Sequence, residues 1–261
     1  MPTANINGVT IHYIEKGDPN APPIVLLHGF PLSADMWVAQ IEALSPRHRV
    51  IAPDFRGFGR SGPTGPFSIE QLADDVHALI GQLKLGKVIL AALSMGGYVA
   101  LAYVKKYQGT LASLILIDTK AEGDSADGRA NRDRLIATAR EHGAKAIGDA
   151  MLPKLIPESA AKSRPQLVRD LRAMTDTTDP QTLAHALAAM RDRPDQTASL
   201  ASIAVPTLIL VGDQDAITPP DVARAMHEKI PRSQLKVIAG SGHMSPMEQP
   251  AQVNVAIEQF L

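Results

Sequence analysis

The sequence predicts an α/β fold: a mostly parallel sheet of eight strands, helices on both faces, and a helical block inserted after the sixth strand. Three observations carry this. Apolar runs at 23–27, 88–93, 111–117 and 206–211 show no polar alternation, the pattern of strands buried on both faces of a parallel sheet. Helix-length segments separate the successive runs, as in repeated βαβ units. The alternation stops at about 119, gives way to an almost wholly helical stretch up to about 204, and then resumes.

The composition is consistent with that architecture. With 261 residues, 45% of them hydrophobic, the chain can bury one large core. A formal net charge of -1 without a block of like charges leaves no electrostatic footprint for nucleic acid or an anionic membrane, so neither partner is expected. The chain has no cysteine, which excludes disulfides, a thiol nucleophile and thiolate metal sites. No apolar run approaches the roughly 20 residues of a membrane span, and the amino terminus lacks a signal-peptide pattern. A cytoplasmic protein is the expectation.

In chain order, the alternation from Ile6 to Ile14 around Asn7-Gly8 reads as a β-hairpin at a sheet edge. Strand 23–27 runs into His28-Gly29-Phe30-Pro31, and a helix is expected over 33–44. After strand 49–52 comes Asp54-Phe-Arg-Gly57-Phe-Gly59-Arg-Ser-Gly62, which contains G-x-G-x-x-G. A dinucleotide fingerprint must open a helix whose N-terminus holds the pyrophosphate. Pro63-Thr64-Gly65-Pro66 follows instead and keeps the backbone in a loop. Gly81 to Val88 imitates a phosphate-binding loop, but it precedes a strand, and Val88 stands where a Mg²⁺-binding hydroxyl is needed. Ser68 and Gln71 form a capping box for a helix to about Leu83. Within the inserted block, helices are expected at 128–142, 144–155, 165–174 and 180–190. No histidine cluster suggests a metal, and no cofactor is expected.

The stretch that organises the rest is Val88-Ile-Leu-Ala-Ala92-Leu-Ser94-Met95-Gly96-Gly97. A strand that ends at a serine and turns at once into a helix has little room, so the residues two before and two after the serine must be small. Ala92 and Gly96 meet that demand. The arrangement resembles the nucleophile elbow of the α/β-hydrolases, with Ala92 replacing the first glycine of G-x-S-x-G. The alternative reading of the same residues is a buried strand followed by a helix with Ser94 as its N-cap.

Membership of that family implies several roles. His28-Gly29-Phe30 resembles the loop that lends an N–H to the oxyanion hole, which makes Phe30 and Met95 the expected backbone donors. The Asp54-to-Ser61 loop is implied to brace the site. The helical stretch resembles a cap, dividing the chain into a core of 1–118 and 205–261 and a cap of 119–204; otherwise it is a separate helical domain. A serine needs a base near pKa 7 and a carboxylate to hold that base's tautomer. Of the eight histidines, only His243 follows a late strand in a glycine-flanked loop, within Gly240-Ser-Gly242-His243. Asp213 and Asp215 both follow strand 206–212, and the family's pattern maps the acid to Asp215; Asp118, at the end of the preceding strand, is a third contender.

The expected catalytic residues are therefore Ser94, Asp215 and His243. The resemblance implies a carboxylesterase that works through an acyl-enzyme on small to medium apolar esters, with a small-molecule ester as its partner. A lactonase or carbon–carbon bond hydrolase, a cofactor-free perhydrolase, and a non-catalytic ligand receptor of the same fold remain open at this stage. Phe30, Leu32, Met95, Met174, Met190 and Met244 are candidates for a pocket lining and equally for core.

Overall fold

The computed structural model describes residues 2–261. Strands β1 (Thr3–Ile6) and β2 (Val9–Lys16) form the expected hairpin. Asn7 (φ 48) and Gly8 (φ 82) both lie in the left-handed region that a two-residue hairpin turn requires. Then come β3 (Pro23–Leu27), a 3-10 turn at Ala34–Trp37, α1 (Val38–Leu44) and β4 (Arg49–Pro53). A single helix was expected over 33–44; its first turn is instead tightened. There the Asp54 carboxylate accepts the Ala34 N–H at 2.7 Å, and Ser33 Oγ accepts Asp35 N–H.

The chain continues through α2 (Ile69–Gln82), β5 (Val88–Leu93), α3 (Met95–Tyr107) and β6 (Leu111–Ile117). Ser68 Oγ caps α2 by accepting Gln71 N–H at 3.1 Å. The stretch holding G-x-G-x-x-G stays a loop up to α2. Residues 119–204 contain no strand; their helices are α4 (Ala126–Leu155), α5 (Glu158–Ser163), α6 (Pro165–Asp176) and α7 (Pro180–Asp192). The two helices expected on either side of Gly143 are the two arms of α4, which bends where Gly143 takes φ 78 and ψ -174. The chain closes with β7 (Thr207–Gly212), α8 (Pro220–Lys229), β8 (Ser233–Ile238), α9 (Ser245–Glu248) and α10 (Pro250–Phe260).

The eight strands lie in the order β1-β2-β4-β3-β5-β6-β7-β8, antiparallel at β1/β2 and β2/β4 and parallel everywhere else. The direction of winding reverses between β3 and β5. Right-handed crossovers on either side of that reversal put α1 on one face of the sheet and α3 on the other. A crevice therefore opens beyond the carboxyl ends of β3 and β5, where ligands bind in open α/β sheets. Both strands end at residues singled out above, His28 to Phe30 and Ser94. Among the described residues no helix is long and apolar enough to cross a membrane.

Candidate active site

Ser94 joins β5 to α3 with φ 52 and ψ -113, a backbone conformation that costs on the order of 1–3 kcal/mol and persists only where its surroundings enforce it. Here they do. Ser94 N–H donates to Ile117 O at 3.0 Å, and Ser94 O accepts Thr119 Oγ1–H at 2.8 Å and Gly97 N–H at 2.9 Å. A Cβ on Gly96 would sit 2.5 Å from Leu27 O and 2.8 Å from His28 O, so the turn packs directly on the end of β3. Ala92, in register between Leu27 and Leu116, fits its methyl into a fully buried site without preventing the turn. The Ser94 side chain makes no capping bond to the helix, which removes the N-cap reading.

That hydroxyl instead meets His243. Ser94 Oγ lies 2.8 Å from His243 Nε2, and His243 Nδ1 lies 2.8 Å from Asp215 Oδ2. The carboxylate accepts from the ring, so Nδ1 carries the proton and Nε2 accepts from the hydroxyl. Asp215 is itself fixed: Oδ1 accepts Ile217 N–H and Thr218 N–H at 2.8 and 2.9 Å, and Oδ2 accepts Thr218 Oγ1–H at 2.7 Å. Asp213 stays at the surface, where its carboxylate takes Ser241 N–H at 3.1 Å. Of the two neighbouring acids, Asp215 is the one that faces the ring.

Burial and partners compete over the charges. Burial alone would raise the Asp215 carboxyl and lower the His243 imidazole. The bond and charge between them prevail, holding Asp215 below the usual carboxylate range and His243 above the usual histidine value. Asp118 ends β6 fully buried, its Oδ2 accepting the N–H and Oγ–H of Ser245 and its Oδ1 the N–H of Gly212. Burial, reinforced by the charge of Asp215, pushes Asp118 up to about 7 against the pull of His243 and these hydrogen bonds. Asp118 thus braces the histidine loop through Ser245 rather than contacting the ring as its partner.

The loop after β3 runs against the elbow: a Cβ on Gly29 would lie 3.3 Å from Ser94 Cβ. Met95 opens α3, so helix geometry leaves its N–H unpaired. Among the described residues the N–H of Phe30 has no acceptor either. The His28 ring is buried, gives Nδ1–H to Gly29 O and accepts Phe55 N–H at Nε2, both at 3.0 Å, and burial holds it below the ordinary histidine value. Asp54, in the loop rich in glycine, accepts from Ala34 N–H, Arg60 N–H and His12, which ties the hairpin to the loops around the site. His12 lies in the edge hairpin, yet it is buried by that contact.

Between α6 and the core lies a cleft of about 850 Å³, lined by Met36, Ala39, Leu167, Met174, Pro246 and Met247 among others. Of the six pocket candidates only Met174 lines it, and none of Ser94, Asp215 and His243 does. Its walls take Asp35 and Met36 from the 3-10 turn before α1 and Pro246 and Met247 from α9. No group of three or more His, Cys, Asp or Glu side chains among the described residues is placed to hold a metal.

A serine held on a strained strand-to-helix turn at the switch point of a mostly parallel sheet, with a helical insertion after the sixth strand, defines an α/β hydrolase. The chain belongs to the α/β-hydrolase fold family, whose model matches residues 22–250. It is 40% identical to a thermophilic esterase from Thermogutta terrifontis, solved with malate bound, at a TM-score of 0.94 over 99% of this chain and 97% of the other. The AB hydrolase superfamily protein YisY of Bacillus subtilis (strain 168) is 36% identical over 249 residues, 91% of each chain. An enol-lactonase from Burkholderia xenovorans LB400 is 29% identical at a TM-score of 0.93, covering 99% of both chains. The protein is a hydrolase of this fold.

Proposed function

We propose that the protein hydrolyses carboxylic esters through an acyl-enzyme, with Ser94 as nucleophile, His243 as base and later acid, and Asp215 holding the imidazole. The observation that carries this reading is the unbroken run of hydrogen bonds from Ser94 Oγ through His243 to Asp215, each link 2.8 Å. As Ser94 Oγ attacks the ester carbonyl, Nε2 takes its proton, and Asp215 stabilises the imidazolium that results. The N–H groups of Phe30 and Met95 receive the oxyanion, helped by the positive end of α3. Collapse breaks the bond to the leaving oxygen, which takes the proton from Nε2 and departs as alcohol. Water, giving its proton to the same nitrogen, then cleaves the acyl–serine bond and regenerates the hydroxyl.

Small to medium apolar esters are the proposed substrates, and the likeness to an esterase over nearly the full chain favours esters as the first substrate class. The likeness to an enol-lactonase over nearly the full chain favours lactones as a second substrate class, since the same three side chains can open a ring ester. The test is labelling with a fluorophosphonate, followed by initial rates on short p-nitrophenyl esters and on lactones. A covalent adduct on Ser94, absent in Ser94→Ala, is expected, with ester rates above lactone rates. A wild-type protein left unlabelled, or a Ser94→Ala variant that retains its esterase rate, would overturn the reading.

A further inference from the structure

Three consecutive backbone N–H groups carry the histidine, and all three are anchored inside the protein. Gly242 N–H donates to Glu248 Oε1 at 2.9 Å, and Met244 N–H donates to the same oxygen at 3.1 Å. The N–H of His243 itself goes to Leu155 O, at the end of α4, at 3.0 Å. Ser241 Oγ lies a further 3.3 Å from Glu248 Oε1. One carboxylate oxygen therefore grips the chain immediately before and immediately after the imidazole.

Glu248 is only 1% exposed, and its second oxygen, Oε2, has no hydrogen-bond partner among the described residues. A buried carboxylate with one oxygen unsatisfied is expensive. Anchoring two N–H groups needs only a neutral acceptor, so an acid in this position is more than the anchoring requires. From the cap side, the Arg164 guanidinium donates to the Glu248 main-chain carbonyl. The end of α4, the start of α6 and Glu248 thus close around the histidine loop.

We propose that Glu248 is a positioning residue of the hydrolytic site: its carboxylate fixes the loop on both sides of His243, and this places a buried acid within one residue of the imidazole, where its charge favours the imidazolium formed during acyl transfer. This rests on His243 acting as the base. The charged groups that act on the ring are Asp215 from the loop after β7, which bonds it, and Asp118 from the end of β6 and Glu248 from α9 at longer range, all favouring the protonated ring against the effect of burial. Arg164 is the cation that acts on Glu248, whose carboxyl burial holds above the usual range.

Glu248→Gln and Glu248→Ala separate anchoring from charge. The amide oxygen of Glu248→Gln can still accept both N–H groups, so kcat stays within a few-fold. The limb of kcat/KM that rises with pH as His243 loses its proton moves to lower pH, because a group stabilising the imidazolium has gone. Glu248→Ala frees the loop and lowers kcat by on the order of 10²-fold, the cost of a displacement of about 1 Å at a reacting group, with KM little changed. Folding of each variant is checked by circular dichroism and a thermal melt; if Glu248→Ala does not fold, the pH profile of Glu248→Gln decides alone. A folded Glu248→Ala with wild-type kcat, or a Glu248→Gln with an unmoved limb, overturns the proposal. Fluorophosphonate labelling of the wild type keeps the two readings apart: an unlabelled wild type removes the hydrolytic site itself, whereas a labelled wild type with unaffected variants removes only the role of Glu248.

Discussion

Asp118 accepts the hydroxyl of Ser245 across 2.6 Å and its backbone N–H across 3.0 Å, joining the end of β6 to the loop that carries His243. Both partners are fully buried, so this is a tie through the interior and not a surface bridge. It also stores a proton. With Asp118 pushed up to about 7 from an unfolded value of 3.8, the folded chain binds more protons than the unfolded chain between those two values. Stability therefore falls as pH rises through that window and levels off above it.

The expected size is on the order of 4 kcal/mol across the whole window, at about 1.4 kcal/mol per unit. Asp118→Asn cannot ionise, so its stability should be flatter with pH even though an amide facing three donors has only one oxygen with which to accept. Urea unfolding of both proteins at about pH 5 and about pH 8 measures this. Equal changes in wild type and variant would refute the assignment of the proton to Asp118.

Asp215→Asn tests the orientation of the base. Oδ1 is committed to two backbone donors, Ile217 N–H and Thr218 N–H, so an asparagine here keeps its oxygen on that side. Its NH₂ then points at His243 Nδ1 and forces the ring proton onto Nε2, which faces Ser94 and can no longer accept. A loss of roughly 10⁴-fold in kcat is expected on the precedent of serine-protease triads. The fold should survive, so an undiminished kcat in a folded variant would show that Asp215 does not set the tautomer.

Much of this site could be read from the chain because it rests on local constraints. A turn at φ 52 between a buried strand and a helix leaves room only for small neighbours, and Ala92, Gly96 and Gly97 announce it. The bend of α4 at Gly143 falls at the boundary expected between helices 128–142 and 144–155. What escaped is long-range. Glu248 lies in a short helix between Met247 and Gln249 with no periodic signal, and only the folded loop turns its carboxylate toward Gly242 and Met244. His12 looked like an edge residue because its partner, Asp54, comes 42 positions later. The 3-10 turn before α1 is likewise held from a distance, by Asp54 on Ala34 N–H, in addition to its own cap at Ser33.

The two small residues around the elbow should respond to very different degrees. A Cβ on Gly96 meets two backbone carbonyl oxygens that cannot swing aside, so Gly96→Ala should destabilise by at least the 1–3 kcal/mol typical of overpacking and should displace Ser94. Ala92→Gly removes a methyl that the strand accommodates, and should cost about 0.5–1 kcal/mol in stability with kcat nearly unchanged. Thermal melts and ester turnover of the pair decide the matter. If Gly96→Ala proves as stable and active as wild type, the close approach of α3 to β3 is not what shapes the elbow.

Arg193 closes the stem through which the inserted helices leave and rejoin the sheet. Its guanidinium donates to Asp124 Oδ1 at 2.7 Å and to Glu122 O at 2.7 Å on the outgoing side, and to Met190 O at 2.5 Å on the returning side. It also lies 3.9 Å over the ring of Tyr98, a residue of α3 just beyond the elbow. Gln196 N–H to Ala121 O, at 2.9 Å, adds a main-chain tie between the same two segments. Arg193→Met keeps the stem's bulk but strips Asp124 of one of its two closest cations, leaving Arg132 at 2.9 Å. Arg132 still pairs with Asp124, so the cost expected is that of the lost charged hydrogen bonds, about 1–3 kcal/mol, with a melting temperature lower by a few degrees. Arg193→Lys should rescue little, because one ammonium cannot reach both sides of the stem and lie over Tyr98 at once. Native-state proteolysis gives the sharper reading: faster cutting within 119–204 than in the sheet places the loss at the stem, whereas an unchanged melt and an unchanged cutting pattern would mean that Arg193 does not hold the insertion in place.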